Sequence, residues 1–162
     1  MTDPATPPLQ HPRKTVLVID DGPGDVELLR EAFRTAAPDI DLRSVSDGVA
    51  ALRYLGREGE FADAPIPHLA IVDLGLPRLD GRAVLQFLRR QTKRIPAVVL
   101  SGSSRRLDRD ESLRLGAVHY AVKPIYFGDY LLLVEFIVGY LRRPANDHPN
   151  STPTPLGTHS LV

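Results

Sequence analysis

The chain has 162 residues, 43% of them hydrophobic, which is material for one compact domain and not comfortably for two. Twenty Lys and Arg balance twenty Asp and Glu, so no global field draws the protein to nucleic acid or to an anionic membrane. Cysteine is absent; disulfides, thiolate nucleophiles and thiolate zinc sites are thereby excluded, and a reducing cytoplasm is the simplest location.

Residues 1–13 hold Pro4, Pro7, Pro8 and Pro12 and almost no large apolar side chain. Such a segment cannot offset its ordering entropy and is expected to be a flexible tail with no secretory leader. Thr15 to Ile19 reads as a first strand, leaving through Asp20-Asp21-Gly22-Pro23-Gly24. From Asp25 to Ala36, Val26, Leu28, Leu29, Ala32 and Phe33 recur at helical spacing, and Pro38 stops the helix. Leu42 to Val45 is a short second strand, and Asp47 caps a helix that runs to Leu55 before Gly56. Residues 56–67 are a longer connection broken by Gly56, Gly59, Pro65 and Pro67.

The apolar run Ala70-Ile71-Val72 is too short for a helix and ends on Asp73. It passes through Gly75 and Pro77 into a helix from Gly81 to Gln91. Ile95 to Ser101 is the fourth strand, and Asp108 with Glu111 is placed to form a capping box for a helix ending at Gly116. Ala117 to Val122 is the fifth strand, leaving through Lys123-Pro124. A last helix runs from Phe127 to Arg143, with Arg142 and Arg143 at its negative end. Residues 130–141 are the most apolar stretch, but Glu135 and Gly139 interrupt them and they are too short to span a bilayer. Residues 144–162 carry Pro144, Pro149, Pro153 and Pro155 among polar residues and read as a second flexible tail. The folded part is therefore 14–143. Its strict strand–helix alternation implies right-handed crossovers and a five-stranded parallel sheet covered by helices on both faces, an α/β fold.

In such a sheet the ligand site lies beyond the carboxyl ends of the strands. There this chain offers Asp20, Asp21, Asp73, Ser101 and Lys123. Three carboxylates in one cleft repel one another unless a cation neutralises them. A hard divalent ion with oxygen ligands does so, and Mg²⁺ is the usual one. A metal, an ammonium and a hydroxyl donor around one carboxylate suit phosphoryl transfer, with Asp73 as the nucleophile. Each residue taken alone has a plainer reading: Asp20-Asp21 as a turn and cap, Ser101 as a turn residue, Lys123 as a solvated charge.

Taken together, four segments resemble a response-regulator receiver domain of two-component signalling. They are Val18-Ile19-Asp20-Asp21, Asp73-Leu74-Gly75-Leu76-Pro77 with Asp80-Gly81, Ser101-Gly102, and Tyr120-Ala121-Val122-Lys123-Pro124. The loop Gly22-Pro23-Gly24-Asp25-Val26 and the long 56–67 connection are similar to those of the small single-domain regulators that serve bacterial phytochrome kinases. The resemblance implies a flavodoxin-like (βα)5 fold. It also implies that Asp73 accepts a phosphoryl group from a phosphohistidine on a sensor histidine kinase. Asp20, Asp21, Asp73 and the Gly75 backbone carbonyl would hold Mg²⁺. Ser101, followed by Gly102, and Lys123 would bind the phosphoryl group, and Tyr120 would change rotamer as Ser101 moves. The Lys123–Pro124 bond would be cis. Gly75 and Ser103 are small at two positions that influence hydrolysis of the acyl phosphate in such domains, and no lifetime follows from them.

Residues 144–162 read as too short and too polar for an effector, with no helix-turn-helix or basic cluster among them, so DNA is not an expected partner. Output is expected through another protein, onward transfer to a phosphotransfer protein, or self-association. On the last helix Tyr130, Leu133, Val134, Ile137 and Leu141 share one face, which should be buried. Leu132 and Phe136 fall opposite, an apolar pair expected to build a homodimer. Two other classes compete. A receiver-like binding module would need no phosphorylation. An Mg²⁺-dependent phosphohydrolase would carry Asp-x-Asp after its first strand, a spacing that Asp20-Asp21 lacks. The expected protein is a phosphoacceptor that catalyses its own phosphorylation and dephosphorylation, not an enzyme acting on a separate substrate. The five histidines show no metal-ligand spacing.

Overall fold

The computed structural model describes residues 13–143; the two tails expected on either side lie outside them, except that Arg13 is described. The elements in order are β1 (Thr15–Ile19), α1 (Pro23–Ala36), β2 (Asp41–Val45), α2 (Gly48–Leu55), a 3-10 turn (Gly59–Phe61), β3 (Leu69–Val72), α3 (Gly81–Arg90), β4 (Ala97–Ser101), α4 (Arg106–Arg114), β5 (His119–Val122) and α5 (Phe127–Arg142). The strands form one parallel sheet in the order β2-β1-β3-β4-β5.

Alternation along each strand divides the interior into two layers. Val16, Val18, Leu69, Ile71, Val98 and Leu100 face α1 and α5, meeting Leu29, Phe33, Val134 and Ile137. Leu17, Ile19, Ala70, Val72 and Val99 face the other way, onto Val84, Leu85 and Leu88 of α3 and Ala51 and Tyr54 of α2. The face expected to be buried on α5 is buried, and Leu132 and Phe136 stand exposed at 62% and 41%.

Local chemistry sets the element ends. Asp47 caps α2 as expected, its carboxylate accepting from the Ala50 amide at 2.7 Å. α1 starts at Pro23 rather than Asp25, since proline's fixed φ suits the first turn. The capping box does not form: α4 begins two residues before Asp108, with no side-chain cap. Asp108 instead sits in the first turn with Ser103, Arg105 and Arg82 around it, and Glu111 pairs with Arg82. The inward side of α4 is accordingly polar: its buried residues are Asp108 and Ser112, while Leu107 is 74% exposed.

Because β1 lies between β2 and β3, the chain reverses direction across the sheet there. The carboxyl ends of β1 and β3 thus open a crevice, the usual ligand position in this architecture.

Candidate functional site

β1 and β3 pair in register from Val16–Leu69 to Ile19–Val72. Asp20 and Asp73, the next residues on each, therefore leave the sheet side by side. Asp20 is 3% exposed and Asp73 7%. Short turns fix their carboxylates: Asp20 accepts from the Gly22 amide at 2.8 Å, and Asp73 from the Gly75 amide at 3.2 Å. Behind Asp73 the chain has no room. A Cβ on Gly81, the first residue of α3, would fall 2.1 Å from the Asp73 carbonyl oxygen, so only glycine lets the helix start against the strand end. Gly48 is equally crowded: its Cβ would lie 2.2 Å from the Leu79 carbonyl oxygen, which seats the β3–α3 loop on the start of α2.

Lys123 arrives from the end of β5. Its ammonium lies 2.9 Å from Asp20, 2.9 Å from Asp73 and 2.8 Å from Asp25. These three partners outweigh the burial that opposes its charge, and its pKa is raised. Asp20 shifts the other way for a carboxylate: burial pushes its pKa up, against the Gly22 amide and Lys123. Asp25 was not foreseen as a site residue. Placing it needed the angle at which α1 leaves β1 and the packing of α1 on α5, where the Tyr130 hydroxyl donates to Asp25 at 3.3 Å. Burial first, then the Asp25 charge, push the Tyr130 phenol up to about 12.

Asp21 is exposed, yet carboxylate oxygens of Asp20, Asp21 and Asp73 lie within 4.8 Å of one another. Opposite ligands of an octahedral Mg²⁺ are about 4.2 Å apart, so this all-oxygen donor set fits a hard divalent cation. The charge balance agrees: four carboxylates face one ammonium.

On the far side of the crevice Ser101 ends β4, 4% exposed, with its hydroxyl accepting from the Ser103 amide at 3.2 Å. Gly102 follows, with open space where a Cβ would stand. Tyr120 on β5 is turned inward, and its hydroxyl donates to the Ser103 carbonyl at 2.8 Å. The Ser103 hydroxyl in turn donates to Asp108. Asp108 also takes Arg105 at 3.0 Å and Arg82 of α3 at 2.6 Å. Arg105 foremost, then Ser103, hold its carboxyl well down, to about 2. A continuous polar chain thus runs from Tyr120 through the β4–α4 loop to α3. Sequence spacing gave no hint of it, because its members are scattered from residue 82 to residue 120.

One expectation fails. All peptide bonds among the described residues are trans, Lys123–Pro124 included. Trans is the lower-energy isomer of an X–Pro bond, by about 0.5–1 kcal/mol. Leu132 and Phe136 lie away from the crevice, on the outer side of α5, where the Phe136 ring rests on His119 at 4.4 Å between centroids. His119, to which the sequence assigned nothing, is part of that surface.

The chain belongs to the response regulator receiver domain family, whose pattern matches residues 16–135. It is 34% identical over 142 residues to response regulator Rcp1 of Synechocystis sp. (strain ATCC 27184 / PCC 6803 / Kazusa), covering 86% of this chain and 93% of that one. Three solved structures are similar along most of their length. The phosphorylated cyanobacterial phytochrome response regulator RcpA superposes with a TM-score of 0.74 at 33% identity, covering 80% of this chain and 94% of the other. The Mn²⁺-bound form of Rcp1 gives 0.72 at 34%, with coverages of 80% and 95%. The bacteriophytochrome response regulator RtBRR gives 0.68 at 33%, with 85% and 84%. No helix among the described residues is long and apolar enough to cross a membrane.

Proposed function

We propose that this protein is a single-domain response regulator that takes a phosphoryl group from a sensor histidine kinase onto Asp73. One observation carries the reading: the Lys123 ammonium is held within 2.9 Å of Asp20, Asp25 and Asp73, with the Asp21 carboxylate in reach of the same point. Asp20, Asp21, Asp73 and the Gly75 carbonyl would hold Mg²⁺. The bound ion supplies charge neutralisation at the phosphoryl oxygens and lets a dianion approach the acidic crevice.

An Asp73 carboxylate oxygen attacks phosphorus, the phosphorus–nitrogen bond to the donor histidine breaks, and an acyl phosphate forms on Asp73. Lys123 turns its ammonium toward a phosphoryl oxygen, and the Ser101 hydroxyl donates to another. Asp25 is a positioning residue, keeping Lys123 over the crevice when Asp20 and Asp73 are engaged by the cation. Movement of Ser101 would pull on Ser103, to whose carbonyl the Tyr120 hydroxyl is bonded. That supports Tyr120 as the group carrying the change toward α4.

The kinase partner we favour is a bacterial phytochrome, on the strength of what RcpA and RtBRR serve as phytochrome and bacteriophytochrome regulators. Ile125, 88% exposed, and Tyr126, 73% exposed, follow Lys123-Pro124 directly and give a docking protein apolar purchase beside Asp73. Output would pass by self-association through Leu132 and Phe136, or by onward transfer to a phosphotransfer protein, in the cytoplasm and without DNA.

Intact mass after incubation with acetyl phosphate, with and without Mg²⁺, tests the chemistry. A single Mg²⁺-dependent phosphoryl adduct, absent from Asp73→Asn, is expected; an adduct that persists in the variant overturns the assignment. Sedimentation of a Leu132→Glu, Phe136→Glu variant tests the dimer, and an unchanged association state rejects it.

A further inference from the structure

A second concavity lies at the opposite, amino edge of the sheet, with a volume of about 760 Å³. That is the size of a site for a drug-sized molecule. Its floor is apolar, with Leu88 of α3, Ile95 and Pro96 before β4, Leu115 after α4 and Leu141 of α5. Around this floor stand Lys14, Arg89, Lys93, Arg94, Arg114 and Arg143, and no Asp or Glu among the described residues lines the cavity. In a chain with equal numbers of acidic and basic residues, this is a pronounced local imbalance.

Ion pairing sharpens it. Ten of the twenty lysines and arginines pair with carboxylates among the described residues, and none of these six is one of the ten. Helix ends provide a partial answer, because α3, α4 and α5 all finish at this edge. Lys14 donates to the Leu141 carbonyl and Arg89 to the Arg114 carbonyl. Each helix C-terminus carries only about half a negative charge. Three of them offset about one and a half of the six positive charges, and no acid among the described residues of the cavity answers the rest. His68 lies at the rim; its Nδ1 accepts the Thr15 amide at 3.1 Å, which leaves the ring proton on Nε2, a further donor.

We propose that this cavity binds a small organic anion, an apolar or aromatic body carrying a phosphate, sulfonate or carboxylate group. The body lies on the leucine floor, and the anionic head meets the arginines, whose planar forks match an oxyanion in two hydrogen bonds. The site is separate from Asp73, on the other edge of the sheet, and does not depend on the phosphoacceptor reading.

The probe is 8-anilinonaphthalene-1-sulfonate titrated into the full chain, followed by fluorescence and by amide chemical shifts. Saturable one-site binding is expected, with shifts confined to the cavity lining: Lys14, residues 66–68, 85–89, 93–97 and 113–118, and the end of α5 from Tyr140. A neutral analogue, N-phenyl-1-naphthylamine, should bind at least tenfold more weakly. Lys93→Glu with Arg94→Glu should weaken the sulfonate at least tenfold; Arg114→Glu, on another element, is the second variant, and unchanged circular dichroism vouches for the fold of both. Displacement by phenyl phosphate or by benzoate identifies the preferred head group, and displacement by neither overturns the proposal. Equal binding of the neutral analogue, undiminished binding by both variants, or shifts on α5 around Leu132 would also overturn it.

Discussion

Lys123 and Asp25 meet at 2.8 Å across the mouth of the crevice, although 98 residues separate them in the chain. Asp25 thereby competes with Asp20 and Asp73 for one ammonium. Asp25→Asn removes a negative charge near the metal position and also leaves Lys123 shared among fewer carboxylates, so that it holds Asp20 and Asp73 more firmly against a cation. Both effects have the same sign. Divalent affinity should fall by about 1 kcal/mol, roughly fivefold, as expected for a charge at this range in a partly wet site. Titration with Mn²⁺ followed by water proton relaxation measures it, and unchanged affinity would put Asp25 outside the site.

The Tyr120 hydroxyl makes its bond to the Ser103 carbonyl from a side chain only 9% exposed. Tyr120→Phe should cost about 1 kcal/mol in denaturant unfolding. Phosphorylation of Asp73 should proceed in this variant, while the amide shifts that it induces in α4 diminish. Full-sized shifts in α4 would show that the hydroxyl carries nothing.

Asp108 gives a prediction in acid. Its folded pKa is lowered, to about 2, below the ordinary carboxylate value of about 3.9. The stability it contributes is therefore fully present above about pH 4. It is lost as pH falls toward 2, where the folded carboxylate takes up its proton. Asp108→Asn should lower stability at pH 7 and flatten the pH dependence over that window. Thermal midpoints of the two proteins between pH 2 and pH 7 provide the check, and parallel curves would refute the argument.

Two glycines in one loop should behave oppositely. Gly81→Ala places its Cβ 2.1 Å from the Asp73 carbonyl oxygen, whereas a Cβ on Gly75 meets nothing within 4 Å. Backbone must shift in the first case, so about 3 kcal/mol of stability should be lost. Phosphorylation should slow as well, because the displaced atom belongs to Asp73. Gly75→Ala should stay within about 0.5 kcal/mol of the parent protein. Urea unfolding separates the two outcomes.

The strand exits were legible because a buried parallel strand is a short apolar run with an abrupt polar end, and Asp73 and Lys123 mark such ends plainly. The buried stripe of α5 was legible for a similar reason: Val134 and Ile137 keep helical spacing over several turns. What escaped was decided by three-dimensional pairing. Asp25 looked like an ordinary first-turn acid, and only the approach of Lys123 and Tyr130 gives it work. Asp108 had the spacing of a cap but was claimed by Arg82 from 26 residues away. The cis proline came from resemblance alone, with no local residue chemistry behind it, and the bond is trans.

α4 turns Asp108 and Ser112 inward and leaves Leu107 and Leu113 in water. It has little hydrophobic adhesion to lose, and the ion pairs that hold it, to Arg82 of α3 and to Arg105, are open to solvent at their outer ends. Opening this helix therefore requires less than global unfolding, whereas the amides of β1 and β3 are released only with the whole sheet. Amide hydrogens of residues 106–114 should exchange with deuterium well ahead of those in the central strands, marking α4 as the part of the domain that can yield while the fold stands.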